Sequence, residues 1–288
     1  MSALFQLGQI LRGQIGSYTI IKRLQESVWL ATSQSKQTVI VKSVCHFRLQ
    51  NERDVLKSFQ SRSPFVRPLI DEIADPSDPP AIVLKYAADH LLNASVSRKL
   101  TSPEIKYVAR RILEAFRMLH EDGFVHTVLK PIAHFSHGGY AKDGDLIGAP
   151  IWRSPEPQLQ IGWGTPTDIW SFGSLIITLV YGDNFFLFEP DVPAGHEDYE
   201  LRILTRQCQF FGPFPVTYQG ISSLETLAIL TYIMRSLPPE KYKPFKRITE
   251  KEVSKVDRDF ILKIMKLDPR DRPSARELLE DEWFNIET

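Results

Sequence analysis

The feature that most constrains the fold of this chain is an apolar run near its middle, DIWSFGSLIITLV, from Asp168 to Val180. Thr167 precedes the run and is predicted to cap its first turn, because a threonine hydroxyl can accept a hydrogen bond from a free backbone N–H. A helix that is hydrophobic on all sides has to be buried. The sequence therefore predicts one central buried helix, against which the larger part of the chain packs.

Short motifs stand at fixed places around this run. Ser154-Pro155-Glu156 precedes it, Asp168-Ile169-Trp170-Ser171-Phe172-Gly173 opens it, and Leu267-Asp268-Pro269-Arg270-Asp271-Arg272-Pro273 follows far downstream. In this order the three motifs resemble the A-P-E, D-x-W-x-x-G and C-terminal arginine motifs of protein kinases. The resemblance implies a buried ion pair between Glu156 and Arg272. It also implies a hydrogen bond from the backbone of the catalytic loop to Asp168.

The composition is that of a globular protein, and it argues against nucleic-acid binding, membrane association and a disulfide-stabilised fold. The 288 residues are 43% hydrophobic, and 35 Lys and Arg balance 35 Asp and Glu, so no bulk charge points to nucleic acid or to an anionic membrane surface. The longest apolar run, Leu175 to Val180, is far shorter than a membrane span. Cys45 and Cys208 are the only cysteines, which argues against a disulfide framework. The N-terminus does not resemble a signal peptide, so we expect a cytoplasmic or nuclear protein.

The first third of the chain predicts a small sheet. Alternating apolar and polar residues, rich in β-branched side chains, cover 17–30 and 38–44 and predict three strands. The run 81–86 predicts another strand, after a proline-rich surface loop at 75–80. Because the kinase resemblance covers nearly the whole chain, we expect an α+β, two-lobed protein kinase-like fold. It would have a β-rich N-lobe at 16–87 and a larger, mainly helical C-lobe at 88–288 with a shortened catalytic and activation region.

The turn between the first two predicted strands lacks glycine. Protein kinases have there a loop of the form G-x-G-x-x-G-x-V, whose backbone amides cover the ATP phosphates. The matching segment here is Leu24-Gln25-Glu26-Ser27-Val28-Trp29-Leu30, in which Val28 stands for the final valine of the loop. Side chains hinder a close approach of the backbone, and Glu26 repels a triphosphate. We therefore expect the phosphate-binding loop to be lost.

The strand that follows keeps part of a nucleotide site. Val39-Ile40-Val41-Lys42 resembles the V-A-I-K strand of the family, which implies Lys42 as the phosphate-contacting lysine. Glu52, on the next predicted helix, is implied as its ion-pair partner. Ile40 stands where the family has a small alanine, and its bulk is expected to narrow the adenine site.

The predicted strand 81–86 supplies two more nucleotide-site candidates. Leu84 is expected at the back of the adenine site. Tyr86 lies in the segment 85–87, whose backbone groups would contact adenine. The resemblance thus implies ATP and Mg²⁺ as cofactors, while the departures from the family pattern predict that ATP binds weakly or not at all.

The catalytic loop departs from the family pattern at its reactive positions. Residues 124–133, FVHTVLKPIA, stand where kinases have H-R-D-L-K-P-x-N. His126 and Lys130 are retained, and His126 is predicted to be the structural histidine beneath the loop. Val128 replaces the catalytic aspartate, and Ala133 replaces the asparagine that helps to hold magnesium. A valine cannot accept a proton, and positioned acid–base groups contribute about 10²–10⁴ in rate, so no confident catalytic residue and no metal ligand are predicted.

The segment between Ala133 and Glu156 is shorter than its counterpart in kinases, and it contains no Asp-apolar-Gly triplet. Asp143 and Asp145 flank a glycine, an arrangement that is first a turn signal and only in principle a cation site. His134 and His137 have the spacing of metal ligands but no third ligand nearby. They are predicted to be solvated loop residues.

The sequence therefore leaves alternatives for function. The chain is either a pseudokinase that acts by binding a protein partner, or a serine/threonine kinase that transfers the γ-phosphoryl group of ATP to protein hydroxyls. A gene model lacking the segment that encodes Asp-Phe-Gly is a further alternative. Simultaneous loss of the base, the magnesium ligands and the glycine loop favours the pseudokinase. Segments 203–205 and 211–215 resemble the branch that contains cyclin-dependent, mitogen-activated and serine/arginine-splicing-factor kinases.

Overall fold

Strands build the first part of the chain and helices build the second. The computed structural model describes residues 5–44, 47–88, 91–126, 136–137 and 146–286. The chain divides into two compact units, which we call unit 1 (Met1–Asp89) and unit 2 (His90–Thr288). The α+β organisation predicted from the sequence is confirmed.

Unit 1 is a closed barrel of antiparallel strands in the order β1-β2-β3-β4-β6-β5. Its elements are β1 (Ile10–Gly13), β2 (Ser17–Gln25), β3 (Val28–Ser33), β4 (Thr38–Ser43), helix α1 (Phe47–Phe59), β5 (Leu69–Asp75) and β6 (Ala81–Lys85). Alternate residues of the strands point inward, as their period of two requires. Trp29 lies at the centre of this core, where the ring of Phe5 packs edge-on against it at 5.0 Å.

The strands predicted at 17–30, 38–44 and 81–86 are present, and residues 76–80 connect β5 to β6. Strands β1 and β5 were not predicted. They pair with each other, with Gly13 opposite Ile73, and this pairing closes the barrel.

Asp71, on β5, fixes the turn between β1 and β2. Its buried carboxylate accepts hydrogen bonds from the backbone N–H groups of Gln14, Ile15 and Gly16 at 3.0–3.2 Å, and from the hydroxyl of Tyr18 at 2.9 Å. A Cβ atom at Gly13 would lie 2.1 Å from a carboxylate oxygen of Asp71. Only glycine therefore allows the turn to approach this carboxylate so closely.

Unit 2 is mainly helical. Its helices are α2 (Leu91–Ser97), α3 (Ser102–Glu121), α4 (Pro155–Gln158), α5 (Pro166–Tyr181), α6 (Tyr199–Phe211), α7 (Leu224–Ser236), α8 (Lys255–Ile264) and α9 (Ala275–Leu279). Two short strands, β7 (Phe124–Val125) and β8 (Ser136–His137), pair antiparallel. Short 3₁₀ turns cover Pro150–Trp152, Val216–Gly220, Pro239–Lys241, Phe245–Arg247, Pro269–Asp271 and Glu282–Phe284.

Helix α5 is the central buried helix that the sequence predicts, and every residue from Thr167 to Val180 is buried. Its predicted start is wrong. The helix begins at Pro166, which suits a first-turn position because proline has no N–H to satisfy, and Thr165 precedes it. The hydroxyl of Thr167 is instead in a buried contact with that of Ser154. At Gly173 a Cβ would lie 2.3 Å from the sulfur of Met265, so glycine allows α5 to pack closely against the end of α8.

Candidate functional site

Lys42 and Glu52 form a buried ion pair in unit 1. The ammonium of Lys42, on β4, lies 2.5 Å from Oε2 of Glu52, on α1, and their side chains are only 6% and 4% exposed. Burial raises the pKa of Glu52 above its ordinary value, and the charge of Lys42 opposes that rise. The pairing predicted from the sequence is therefore present, while its role toward a nucleotide stays a prediction.

This pair should make stability depend on pH in a defined way. In Lys42→Met the opposing charge is gone, so the folded-state pKa of Glu52 rises further. The folded state then keeps a proton that the unfolded state releases. Stability is consequently lost as pH rises from about 4.5 through the folded-state pKa. We expect urea denaturation to give a clearly larger loss of stability at pH 7.5 than at pH 5, because Glu52 is a carboxylate in the unfolded chain and a protonated, buried carboxyl in the folded chain.

Lys57→Met is the matched control, because Lys57 is a half-exposed lysine on α1, the helix that carries Glu52, and it pairs with Glu72. Lys57→Met should lower the free energy of unfolding by about the same amount at pH 5 and at pH 7.5. A Lys42→Met variant that also loses equal stability at pH 5 and pH 7.5 would contradict a stranded carboxylate at Glu52.

Four of the predicted nucleotide-site residues share one face of the sheet. Lys42 pairs directly with Val28, and Ile40 pairs directly with Leu84. Directly opposed residues of antiparallel strands point to the same side. This side is opposite to the barrel core, into which Val39 and Val41 point. Ile40 and Leu84 are buried, at 5% and 2% exposure.

The connection that follows β2 is a two-residue turn. Strand β2 ends at Gln25 and β3 begins at Val28, which leaves only Glu26 and Ser27 between them. The backbone carbonyl of Glu26 accepts a hydrogen bond from the guanidinium of Arg23 at 3.1 Å. A turn this short leaves no long loop to cover phosphates.

The last residue of β6, Lys85, makes contacts that the sequence did not predict. The N–H of Lys85 donates to the carbonyl of Pro68 at 3.0 Å, and its carbonyl accepts from Nε of Arg67 at 2.8 Å. Arg67 also acts electrostatically on Glu52, where its positive charge lowers the pKa of that carboxyl. Tyr86, the predicted nucleotide-site residue that follows Lys85, is 38% exposed. Sequence reasoning missed Arg67, because no motif marks it.

In unit 2, Asp168 holds the start of the predicted catalytic loop. Its carboxylate accepts a hydrogen bond from the backbone N–H of His126 at 2.6 Å, as the kinase resemblance implies, and Nε2 of His120 lies 3.0 Å from the same oxygen. The rings of His120 and His126 both pack against Phe116. Burial lowers the pKa of His126, which keeps this imidazole uncharged at neutral pH. His120 is the member of this cluster that sequence reasoning missed.

Glu156 and Arg272 form the buried ion pair that the motifs imply. Two parallel bonds join them, Nη1 to Oε1 at 2.6 Å and Nη2 to Oε2 at 2.9 Å, and both side chains are fully buried. Arg272 also donates to the backbone carbonyls of Pro166, Lys266 and Leu267. The pair therefore ties α4, the start of α5 and the segment after α8 together.

The remaining predicted site residues lie outside the described residues. These are Val128 at the catalytic aspartate position, Lys130 and Ala133, together with His134, Asp143 and Asp145. His137 lies in β8, but its side chain is not described. Among the described residues, no group of three or more His, Cys, Asp or Glu side chains is arranged to hold a metal ion. Within that same part of the chain, no helix combines the length and the apolar character that crossing a membrane requires.

Comparison with known proteins identifies the family. The model of the protein kinase domain matches residues 135–284, just over half of the 288 residues. The chain therefore belongs to the protein kinase family.

Among curated relatives, the mouse "Inactive serine/threonine-protein kinase PLK5" is 25% identical over 223 residues, which cover 71% of this chain and 30% of the relative. The Saccharomyces cerevisiae "Serine/threonine-protein kinase SKY1" is 32% identical over 150 residues, covering 46% of this chain and 18% of the relative. The human "NUAK family SNF1-like kinase 1" is 29% identical over 192 residues, covering 58% and 28%. The chain thus spans about a third or less of the length of these relatives.

A solved structure supports the fold. A chain of the yeast RNA Pol II CTD kinase CTDK-1 complex superimposes with a TM-score of 0.73 over 94% of this chain and 93% of that chain, at 18% sequence identity. The kinase-like fold predicted from the motifs is confirmed.

Proposed function

We propose that this chain is a catalytically impaired kinase domain, a pseudokinase, that acts by binding a protein partner and binds ATP weakly or not at all. The observation that carries the proposal is the two-residue turn at Glu26 and Ser27, where the family has a loop that covers the phosphates. This turn offers a carboxylate and few backbone amides to a triphosphate, so charge and geometry both oppose binding.

Further residues support the same conclusion for ATP and Mg²⁺. Magnesium requires oxygen ligands, and Val128 and Ala133 supply no side-chain oxygen where the family has an aspartate and an asparagine. Both backbone groups of Lys85, in the segment predicted to contact adenine, already have partners in unit 1. The residues present therefore do not fit magnesium-ATP. The likeness to a mouse relative named as inactive agrees with this proposal.

The second candidate is an active serine/threonine kinase. The Lys42–Glu52 pair favours it, because kinases need the corresponding lysine–glutamate pair in place for phosphoryl transfer. A transcript that encodes an additional Asp-Phe-Gly or Asp-Leu-Gly segment near residues 132–137 would further favour this candidate.

For the domain boundaries, we propose an N-lobe at 16–87 and a C-lobe at 88–288. The division into unit 1 and unit 2 supports this assignment. Location in the cytoplasm or nucleus stays a prediction, as does the protein nature of the partner.

Nucleotide binding gives the decisive test. A ligand present at about 100 times its dissociation constant stabilises the native state by roughly 2.7 kcal/mol. That corresponds to a rise in Tm of about 2–4 °C per kcal/mol for a domain of roughly this size. We expect millimolar magnesium-ATP to leave the Tm of the chain nearly unchanged, and labelled phosphate to be transferred to neither the chain nor a generic protein substrate.

Lys42→Met is the control. Its own Tm is lower than that of the parent chain, but if the proposal holds, magnesium-ATP should leave that Tm nearly unchanged and no labelled phosphate should be transferred. A magnesium-dependent rise in Tm together with labelled phosphate transfer, both abolished by Lys42→Met, would favour the active kinase and reject the pseudokinase.

A further inference from the structure

A groove in unit 2 combines an apolar lining with two lysines. It is formed by the end of α6, the end of α8 and the segment at Pro244, and its volume is about 290 Å³. Phe210 and Pro213 contribute to its apolar lining. Lys246 and Lys266 line it from two separate segments of the chain. A groove of this volume is at the small end of ligand pockets, which suits one or two large side chains of a peptide.

Contacts with α6 hold one side of the groove in place. The side-chain amide of Gln209 donates to the carbonyl of Lys241 at 2.6 Å, and the N–H of Lys243 donates to the carbonyl of Gln209 at 3.1 Å. Phe245 is buried, and its ring stacks on that of Phe211 with 5.3 Å between their centres. The groove is therefore formed in the folded chain before any ligand binds, which lowers the entropic cost of binding.

The cations around the groove are left without an anionic partner in the described part of the chain. Five exposed cations belong to the groove or to the segment 241–247 beside it, namely Lys241, Lys243, Lys246, Arg247 and Lys266. None of their side chains forms a hydrogen bond or an ion pair with another described residue. Elsewhere in unit 2, exposed cations do pair, as Lys255 does with Asp259. Because clustered like charges repel one another, a bound anion would stabilise this surface.

Carboxylates are fewer on this surface. Asp268 lines the groove, but its carboxylate already accepts hydrogen bonds from Nε and Nη2 of Arg270 at 2.9 and 2.7 Å. Asp271, also in the lining, and Glu240, next to the segment 241–247, are exposed. The surface keeps an excess of positive charge, so it is complementary to an acidic ligand.

We propose that this groove docks an acidic segment of a partner protein, in which one large apolar side chain enters the groove and neighbouring carboxylates bind Lys246 and Lys266. Clustered cations are a recurring way to recognise acidic motifs. A peptide fits better than nucleic acid, because the lining is apolar and Asp271 would repel a continuous phosphate backbone. The segment would belong to the protein that the pseudokinase binds, so the inference rests on the proposed function.

Fluorescence anisotropy with the full chain and a labelled peptide tests this docking. The probe carries one phenylalanine between two runs of glutamate, and a second probe carries serine instead of the phenylalanine. We expect the phenylalanine peptide to bind with a Kd below about 100 µM. The serine peptide should bind at least about tenfold more weakly, because its side chain gains little from an apolar groove.

Charge reversal locates the site. The double variant Lys246→Glu, Lys266→Glu should raise the Kd of the phenylalanine peptide at least about tenfold, because two attractive charges become repulsive. Lys255→Glu, Arg276→Glu is the matched control, since it changes the net charge equally at exposed side chains that do not line the groove. The control should change the Kd less than about twofold, because salt screens distant charges. Circular dichroism and Tm should match the parent in both double variants.

Several results would overturn the proposal. These are no binding of the phenylalanine peptide at about 200 µM chain, equal affinities of the two peptides, or equal weakening by the two double variants. Tighter binding of an oligothymidylate or of phosphatidylserine vesicles, lost in Lys246→Glu, Lys266→Glu, would also overturn it by assigning the surface to another class of ligand. A failed peptide assay leaves the magnesium-ATP result unchanged, so failure of this docking is distinguishable from failure of the proposed function.

Discussion

Replacing Arg272 with alanine is expected to lower the free energy of unfolding of unit 2 by about 3–5 kcal/mol, because the change strands the fully buried carboxylate of Glu156. It also removes the donor that three backbone carbonyls share. Urea denaturation followed by tryptophan fluorescence measures the loss, since the guanidinium of Arg272 lies 5.1 Å from the ring centre of Trp170. Arg272→Lys should recover only part of it, because an ammonium cannot make two parallel bonds to a carboxylate.

Arg276 provides a matched control four residues away. It also pairs with a glutamate, Glu121, at 2.8 Å, but the two side chains are 68% and 48% exposed. Exposed pairs contribute about 0–1 kcal/mol, so Arg276→Ala should change stability little. Similar losses for Arg272→Ala and Arg276→Ala would refute the claim that burial of the Glu156 pair determines its energetic importance.

Loss of the Asp71 carboxylate is expected to have a similarly large effect on unit 1. In Asp71→Ala, three backbone N–H groups and the hydroxyl of Tyr18 lose their acceptor. The hydroxyl of Tyr18 is buried, and an unsatisfied buried donor costs about 1–3 kcal/mol. The three amides lie in a partly exposed turn that water can reach, so we expect a total loss of about 3 kcal/mol, most of it from Tyr18. Hydrogen–deuterium exchange should show the amides of Gln14, Ile15 and Gly16 losing protection first, because their bonds end on this carboxylate.

Asp75→Asn is the control for this experiment, since Asp75 lies on the same strand but is exposed. It should leave the exchange of the β1–β2 turn unchanged. If Asp71→Ala exchanged these three amides no faster than Asp75→Asn does, the carboxylate would not hold the turn.

Local patterns and ordered motifs were sufficient to predict much of this fold. The central helix α5 follows from an apolar run that has no polar side to expose. The Glu156–Arg272 and Lys42–Glu52 pairs are separated by 116 and 10 residues, and the order of kinase motifs identified both. Periodicity alone would have found neither, because a single charged residue carries no information about its partner.

Features that depend on non-local contacts were missed. Strand β5, LIDEIAD, contains three acidic residues and so obscures the alternation that marks a strand. Asp71 on this strand accepts hydrogen bonds from the β1–β2 turn, 55–57 residues earlier in the chain, and no local sequence pattern predicts such a contact. The start of α5 was misplaced because a threonine suits a cap by composition, although Pro166 gave the better signal. Arg67 and His120 make contacts with residues that only folding brings close.

Because the barrel of unit 1 is closed, its strand edges are protected from pairing with another chain only after all of its strands have been made. Each of the six strands β1 to β6 has a neighbour on both sides, so the folded barrel offers no open strand edge for another chain to extend. This protection comes late, because β4 and β1 gain their second neighbours only when β6 and β5 have been made. A nascent chain that ends before Leu69 would carry a four-stranded sheet with two bare edges, one of them the strand β4 with Val39, Ile40 and Val41. During synthesis, β4 therefore keeps a bare edge from the time Ser43 has been made until β6 (Ala81–Lys85) can pair with it, and over this interval unit 1 is open to aggregation through its strand edges.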